Sequence, residues 1–373
     1  MNTNSRKRKN KLKKPLILIF LIVILLIVGI LVYKNMSNET TPVNNKNVSQ
    51  NSGESVDKPE ENVPQEKVDI IDVESNTRPY ALVINDTPVA VKVQEGLNKA
   101  YLVYELPTEG NTSRLIALYK DVEESLVIGT IRSARHDFID YALESDAIFC
   151  CFGWSHYAQD DLGTGIIDYL QGLYGEPFYR NNPEGLAKEH TGYTSIAKLN
   201  EAVASKGIRN TTDKPILLNY NVSDTDLSLA ENVEVANKVT IPYGSKPEVS
   251  SFEYNPETKM YTRYENSNKC IDHNTKEAVT TKNIIVQKIN YEKCDDGYYW
   301  DLETVGSGDG YYITNGYAVP IEWKKVARAG QTQYTYKEGT IIDGENVGGQ
   351  EISVSDGKTW ISLQTTSQKL TIE

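Results

Sequence analysis

The residues with the clearest potential for binding chemistry are two arginines three positions apart, Arg132 and Arg135. They follow an apolar strand predicted at 125–131 and open a helical pattern, with Ser133 as the expected N-cap. The free N–H groups of a helix N-terminus and the guanidinium groups both attract anions. An arginine in the first helical turn opposes the helix dipole, and a bound phosphate or carboxylate would remove that conflict. The motif therefore predicts an anion site.

Internal ion pairs are the alternative role for these two arginines. The acidic residues near them in the sequence are Glu105, Glu109 and Asp137. Glu105 and Glu109 could also hold a cation or position a substrate together with Arg114, although an internal salt-bridge network is the role that we favour for them. The sequence leaves both roles of the two arginines open.

A second group of candidate residues, Gly153 to His156, directly follows an apolar strand predicted at 146–152. Strand, helix and strand in this order are typical of a βαβ unit with two parallel strands. Both strands would end at the same edge of the sheet, where open α/β sheets bind ligands. Trp154 could stack on a ring, Ser155 would lie beside it, and His156 could act as an acid or base. No G-x-S-x-G motif supports a hydrolase, and the sequence identifies no catalytic residue.

The elements that must position these residues divide the folded part into two halves. Residues 78–222 combine short apolar strands with helical patterns at 133–144, 165–174 and 193–206, which predicts an α/β domain with a βαβ unit. Beyond this half, apolar and polar residues alternate between Asn-Pro, Asp-Gly and Asn-Gly turn signals. Residues 236–373 are therefore predicted to form a β-rich domain, and the fold class of the whole chain is α+β.

The N-terminal segment predicts how the protein is anchored. Residues 16–33 form an uninterrupted apolar run, which at 1.5 Å per residue spans about 27 Å, close to the thickness of a bilayer core. Eight basic residues and no acidic ones occur at 1–34, so the positive-inside rule predicts a cytoplasmic tail at 1–14 and extracytoplasmic folded domains. We predict a single-pass signal anchor in the cell membrane at 15–33. A disordered linker without aromatic residues is predicted at 34–77.

The charge balance argues against binding to nucleic acid. The chain has 39 basic and 51 acidic residues, for a net charge of −12, whereas phosphate backbones require basic surfaces. Four cysteines without a CxxC motif and four histidines predict no metal site, and no cofactor is expected. Cys270 and Cys294 flank a predicted strand outside the membrane. A disulfide between them and two free thiols are both compatible with the sequence.

Two stretches resemble the YerB-like family of bacterial lipoproteins, in which both domains (domain of unknown function 3048) lack an assigned function. They are VYELPTEGNTSRLIALYKD at 103–121 and VIGTIRSARHDFIDYALESDAIFCCFGWSH at 127–156. SGDGYYITNGYAVPIEWKK and EISVSDGKTWISL resemble the second domain of that family, so the resemblance covers about 78–373. Thr130 replaces the usual proline, His136 precedes the aspartate, and the lipobox cysteine is missing, which is why we expect a transmembrane anchor. The resemblance implies an extracytoplasmic envelope protein of a Gram-positive-type bacterium, without an established enzymatic activity.

The sequence thus predicts a membrane-anchored envelope protein that binds an anionic cell-wall or small-molecule ligand, or a protein partner in the membrane. The expected anion-site residues are Arg114, Arg132, Ser133, Arg135, Trp154, Ser155 and His156, with Glu105, Glu109 and Asp137 as supporting acids. One alternative is an envelope enzyme such as a wall-polymer phosphotransferase, which would need carboxylates for a divalent metal beside the arginines. Another is a structural partner of a membrane protein, without a small ligand.

Overall fold

The computed structural model describes residues 68–175, 177–182, 184–243 and 249–373. The predicted tail, the anchor at 15–33 and most of the linker therefore lie outside the described residues. Within the described ranges, no helix is long and apolar enough to cross a membrane. The α-helices are α1 (His136–Glu144), α2 (His156–Gly163) and α3 (Ile196–Lys206), and the 3-10 helices are Ala90–Val93, Leu97–Lys99, Lys188–His190 and Leu227–Leu229.

Most of the described chain is β-structure, with strands numbered β1 to β26 in chain order. An eleven-stranded sheet contains β1 (Tyr80–Asn85), β2 (Leu102–Thr108), β3 (Thr112–Tyr119), β5 (Ile148–Cys151), β6 (Tyr169–Gln171), β10 (Glu234–Val235), β16 (Asn283–Ile289), β19 (Gly306–Thr314), β20 (Tyr317–Lys325), β21 (Gln333–Tyr336) and β25 (Thr359–Thr365). A six-stranded sheet contains β11 (Lys238–Pro242), β12 (Val249–Asn255), β13 (Met260–Glu265), β14 (Asn268–Lys269), β15 (Thr280–Thr281) and β26 (Thr371–Ile372). Smaller sheets pair β4 (Val127–Gly129) and β7 (Tyr179–Arg180) with β8 (Gly192–Ser195), β9 (Tyr220–Asn221) with β24 (Val354–Ser355), β17 (Tyr291–Lys293) with β18 (Trp300–Leu302), and β22 (Ile341–Ile342) with β23 (Glu345–Asn346).

The eleven-stranded sheet contains strands from both predicted halves of the chain. Its order is β10-β20-β19-β16-β25-β2-β3-β1-β5-β6, with β21 beside β20. β25, close to the C-terminus, pairs in parallel with β2 on one side and with β16 on the other. The boundary predicted between 222 and 236 thus separates two segments that share a sheet, and their independence as folding units stays a prediction.

The predicted strand pair 125–131 and 146–152 is wrong. The segment predicted at 125–131 contains only the three-residue strand β4. This strand pairs antiparallel with β8, with Ile128 opposite Thr194. β5 instead pairs in parallel with β1 and with β6, so the βαβ unit is β5–α2–β6. Five of the six residues of β1 are buried, which makes it a better neighbour for the fully buried β5 than the three-residue β4.

Helix α1 begins three residues later than the sequence suggested. Its N-cap is Arg135, whose side chain makes no capping hydrogen bond. Ser133, the predicted cap, donates its hydroxyl to the carbonyl of Phe152 at 3.2 Å instead. The backbone after β4 stays extended as far as Arg135 because it runs beside the segment that follows β5, with a parallel bridge between Ala134 and Trp154.

The other two predicted helices of the first half have different outcomes. The pattern at 165–174 predicted a helix, but this segment contains strand β6, which completes the edge beside β5. The pattern at 193–206 becomes α3 from Ile196 onward, after a short strand. Ser195 caps it by accepting a hydrogen bond from Lys198 N at 3.4 Å, and Gly207 ends it at φ +64°.

Apolar layers cover both faces of the central sheet, because successive residues of a strand point to opposite sides. Tyr104 and Ile116 lie in one layer, whereas Val103 and Leu115 lie in the other. The alternating pattern beyond residue 236 is confirmed, since β11 to β13, β16, β18 to β21 and β25 fall on the predicted strands. The chain is therefore more β-rich than a separate α/β first half implied.

Candidate functional site

A basic cleft of about 380 Å³ lies where the chain leaves β4 and β5. Its lining residues are Ile131, Arg132, Ser133, Phe152, Gly153, Trp154, Leu173, Arg180, Lys188 and Glu189. Three of these side chains are cationic and one is a carboxylate, so the basic cleft has an excess of positive charge. Such an excess attracts anions from solution.

Backbone hydrogen bonds hold the walls of the basic cleft together. The amide of Arg132 donates to the carbonyl of Val83 at 2.8 Å, and the amide of Phe152 donates to the carbonyl of Arg132 at 2.9 Å. Gly153 has φ +91°, and a Cβ atom there would lie 3.0 Å from the Ser133 hydroxyl. Glycine therefore allows the two segments to approach, and the structure brings the predicted residues Arg132, Ser133 and Trp154 into one cleft.

The charge of Arg132 is only weakly compensated. Its guanidinium lies 3.7 Å from the carboxylate of Glu189, which is about half exposed. The Nε atom of Arg132 is shielded from solvent and has no hydrogen-bond partner among the described residues. Burial lowers the pKa of Arg132, Glu189 counteracts this, and the charge of Arg135 lowers the pKa further. An anion in the basic cleft would stabilise the charged form.

Arg180 is a cleft residue that the sequence did not single out. Its guanidinium lies 3.8 Å from the centre of the Phe152 ring and donates a 2.5 Å hydrogen bond to the carbonyl of Lys188. These contacts fix the position of the charge without neutralising it. Arg180, Lys188 and Glu189 come from irregular segments around β7, where sequence periodicity gives no indication of spatial neighbours.

Arg135 and Arg114 make internal contacts, which is the alternative that the sequence left open. Arg135 donates from Nε to Glu109 Oε2 at 2.9 Å and from Nη2 to Glu109 Oε1. Arg114 donates from Nη1 to the carbonyl of Ser133 at 2.6 Å, with its Nη2 3.7 Å from Glu109. All three charged side chains are largely buried. The Glu109 carboxylate thus links both arginines to the turn that carries the basic cleft.

The pKa values of these three residues follow from their burial and from the presence of two arginines beside one carboxylate. Burial raises the pKa of Glu109, but the hydrogen bond and charge of Arg135, with the charge of Arg114, outweigh it and lower the pKa. Burial and the like charge of Arg135 lower the pKa of Arg114 to about 9. Two guanidiniums share one carboxylate, so this group adds to the positive potential behind the basic cleft.

Ser155 and His156 lie outside the lining of the basic cleft, although both follow β5 as predicted. Ser155 is buried and caps α2, accepting a hydrogen bond from the amide of Ala158 at 3.2 Å. The ring of His156 lies 5.5 Å from that of Tyr299, and its Nε2 lies 3.7 Å from Asp296. The structure therefore gives Ser155 a capping role and points His156 towards the β17–β18 hairpin.

Glu105 is not beside the arginines of the basic cleft but in a closed charge cluster, formed with Asp86, Arg263 and Glu265. Arg263 Nη2 lies 2.7 Å from Asp86, 3.2 Å from Glu105 and 3.2 Å from Glu265, and these side chains are at most 1% exposed. Burial and the charge of Asp86 raise the pKa of Glu105 to about 7, although Arg263 opposes this. The guanidinium occupies the space between the three carboxylates, so it fills the role of a cation there.

The sequence analysis missed Arg263 and Glu265, although their pattern contains a signal. Tyr261, Arg263 and Glu265 alternate with more exposed residues along β13, and the inward positions of a strand are normally apolar. Two residues of opposite charge at inward-facing positions of a strand indicate a buried ion pair. Glu105, the acid that compensates it, comes from β2, more than 150 positions earlier in the chain.

All four cysteines of the chain are free thiols, so a disulfide between Cys270 and Cys294 is not formed. Cys270 is buried in the six-stranded sheet region, where Arg263 Nη1 lies 3.3 Å from its sulfur atom. Cys294 lies in the turn of the β17–β18 hairpin, and burial and the charges of Asp301 and Asp137 raise its pKa to about 11. The two thiols belong to different parts of the fold, which is why they do not pair.

Two family models match this chain. They are the N-terminal domain of "Protein of unknown function (DUF3048)", over residues 68–209, and the corresponding C-terminal domain, over residues 239–361. The chain therefore belongs to the YerB-like family that these two domains define, and the resemblance seen in its sequence is confirmed.

One relative of known sequence and structure comes from Bacillus subtilis. The protein named "Putative lipoprotein YerB", from strain 168, is 29% identical over 290 residues, which cover 77% of this chain and 81% of that protein. The crystal structure of the YerB protein from the same species aligns with a TM-score of 0.63 and 25% identity. The alignment covers 79% of this chain and 94% of the other. The two proteins therefore share a fold across most of their length.

Proposed function

We propose that this protein is an extracytoplasmic protein of the bacterial cell envelope, anchored by the apolar segment 16–33. The similar protein from Bacillus subtilis is named a lipoprotein, which supports a location at the membrane. All four cysteines lie at position 150 or later, so the apolar segment, rather than a lipid-modified cysteine, supplies the anchor. Protease added to intact protoplasts should remove residues 78–373, and full protection of these residues would contradict this topology.

The function that the geometry supports best is binding of an anionic ligand in the basic cleft. The observation that carries this proposal is the contrast between Arg132 and Arg135. Arg135 is paired with Glu109 inside the protein, whereas Arg132 lines the cleft, and its one ion pair among the described residues is with the half-exposed Glu189, at 3.7 Å. Arg180 adds a second fixed guanidinium, and two such groups can bind a phosphate or carboxylate through several charge-assisted hydrogen bonds.

Thermal melting of the full chain tests this proposal. Sulfate or phosphate at about 50 mM should raise the melting midpoint above that in chloride at equal ionic strength, because ligand binding stabilises the folded state. Arg132→Gln and Arg180→Gln should each melt close to the parent in chloride and lose most of the increase in sulfate.

Arg209→Gln is the matched control for this experiment. Arg209 is also an arginine beside a cleft and is half-exposed, but Asp146 accepts two hydrogen bonds from it. Its own cleft contains two acids and two cations, Asp146, Asp213, Arg209 and Lys214, and therefore has no excess charge. This variant should keep the response to sulfate. A parent protein that responds equally to sulfate and chloride would contradict the proposed anion site.

A further inference from the structure

A second cluster of polar side chains lies where helix α1 meets the β17–β18 hairpin. His136 is the first residue of α1, Asp137 follows it, and Asp301 comes from β18. One ligand atom from each of the three residues lies within 4.8 Å of the others. Asp137 is one of the acids that the sequence singled out, but Asp301 is not, because it lies 164 positions further along the chain.

The distances match those between ligands of a small divalent cation. His136 Nε2 lies 3.2 Å from Asp137 Oδ1 and 3.4 Å from Asp301 Oδ1. Metal–ligand bonds of about 2.0–2.2 Å in a tetrahedral zinc site place neighbouring ligand atoms about 3.3–3.6 Å apart. Histidine nitrogen and aspartate oxygen are both zinc ligands, and a zinc site with three protein ligands has one position open for water.

The surroundings hold these groups in place and leave access to solvent. Asp137 is almost completely buried and accepts a 3.2 Å hydrogen bond from the amide of Leu302, which ties α1 to β18. The ring of Tyr157 lies 5.5 Å from that of His136. Asp301, in contrast, is 56% exposed, so an ion can reach the cluster from that side.

The orientation of the His136 ring decides which of its nitrogen atoms could bind an ion. Nε2 is directed at the carboxylates of Asp137 and Asp301, whereas Nδ1 is buried on the other side of the ring and has no hydrogen-bond partner among the described residues. Nε2 is therefore the atom that would bind a metal ion together with the two carboxylates, and a cation there would replace the proton that Nε2 otherwise shares with them.

From this geometry we propose that His136, Asp137 and Asp301 bind a divalent transition-metal ion of the zinc class. The ion would accept the Nε2 lone pair and neutralise the two carboxylates. It would also link α1 to the β17–β18 hairpin, and thereby join residues from both sequence domains of the family. This site is separate from the basic cleft, and neither proposal depends on the other.

Isothermal titration calorimetry of the full chain, after removal of metals with a chelator, tests the site. Zn²⁺ and Mn²⁺ are the probes, with Mg²⁺ for comparison. The parent should bind one Zn²⁺ per chain, more tightly than Mg²⁺. His136→Gln and Asp301→Asn should each weaken Zn²⁺ binding at least about tenfold, the lower limit for loss of even an outer-shell partner. Asp301 is exposed, so the second variant tests the site without placing the fold at risk.

His156→Gln and Asp309→Asn are the matched controls. His156 is also the first residue of a helix and also faces the hairpin, but it has a single carboxylate at 3.7 Å. Asp309 is an exposed aspartate whose partner is Lys337. Both control variants should bind Zn²⁺ like the parent. A parent that binds no Zn²⁺, or an Asp301→Asn variant that binds it as tightly as the parent, would overturn the proposal and leave His136 as a member of an ordinary ion pair.

Discussion

The basic cleft and the closed cluster around Arg263 are built from the same residue types but differ in charge and access. In the closed cluster, one guanidinium contacts three carboxylates, and none of these side chains is more than 1% exposed. In the basic cleft, three cations face solvent with a single, half-exposed carboxylate, Glu189. The guanidinium of the closed cluster is surrounded by carboxylates inside the protein, whereas the cations of the basic cleft outnumber the carboxylate beside them.

An arginine in this fold is therefore best assigned a role from the balance of charge around it. Burial of an ion pair has a large desolvation cost, so its partners must compensate each other internally. An arginine at the surface has no such requirement and remains available for a ligand. Arg135 lies between the two extremes, because it is largely buried with Glu109 but adjoins the basic cleft.

The largest expected effect comes from removing the central charge of the closed cluster. Arg263→Met should lower the free energy of unfolding by about 4–5 kcal/mol, because it leaves carboxylates buried without a counter-charge. Urea unfolding at neutral pH measures this. Arg209→Met, at a half-exposed ion pair, should cost less than about 1 kcal/mol. Equal losses in both variants would show that the closed cluster is not special.

A smaller effect separates the two arginines of the sequence motif. Arg135→Gln should lower the free energy of unfolding by about 3 kcal/mol, because Glu109 loses the bidentate partner that holds its pKa low. Arg132→Gln should change it by less than about 0.5 kcal/mol, because its ion pair with the half-exposed Glu189 is long, at 3.7 Å, and weak. Urea unfolding of the two variants makes the comparison, and the reverse order would refute the assignment of their roles.

The stability of the folded protein should depend on pH through the buried Glu105. The pKa of Glu105 is about 7 in the folded protein, against an ordinary value of 4.5. The unfolded chain therefore loses this proton first, and the stability of the folded state falls as the pH rises from about 4.5 to 7. In Glu105→Gln, the decrease in the free energy of unfolding over this pH range should be about 2–3 kcal/mol smaller than in the parent, since each pKa unit corresponds to about 1.4 kcal/mol.

The pH dependence of the free energy of unfolding, measured between pH 4 and 8 on parent and variant, checks this sign. Glu253→Gln provides the control. Glu253 is a partly exposed carboxyl on β12 of the six-stranded sheet, and the hydrogen bond from Lys238 lowers its pKa. This variant should leave the fall between pH 4.5 and 7 in place. A Glu105→Gln profile parallel to that of the parent would contradict the raised pKa.

The sequence predicted which residues form strands better than it predicted which strands pair with each other. An apolar run predicted β5, and alternating residues predicted the β-rich region beyond residue 236, because side-chain period is a local property. The pairing of β5 with β1 and of β25 with β2 depends on contacts between distant segments. The helix expected at 165–174 became an edge strand for the same reason, since tertiary pairing outweighed local propensity.

The candidate site was predictable in part. Two adjacent segments, around Arg132 and Trp154, could be placed together because both follow apolar strands, although the strand pairing assumed for them was wrong. Which arginine has an internal partner could not be predicted, since Glu109 lies in the β2–β3 turn and its direction depends on the whole sheet. Arg180 and Asp301 were missed because no local pattern relates them to the residues that they accompany.

The position of β25 has a consequence for how the protein is made. Chains emerge from the ribosome with the N-terminus first, and early segments begin to fold before the late ones exist. Strand β2 has β3 on one side and β25 on the other, so its second edge stays unpaired until residues 359–365 have been synthesised. An unpaired edge in a central sheet is a template for aggregation. A chain that is truncated or stalled before residue 359 therefore exposes one edge of β2 in the middle of its largest sheet, and we expect such a chain to aggregate more readily than one that contains β25.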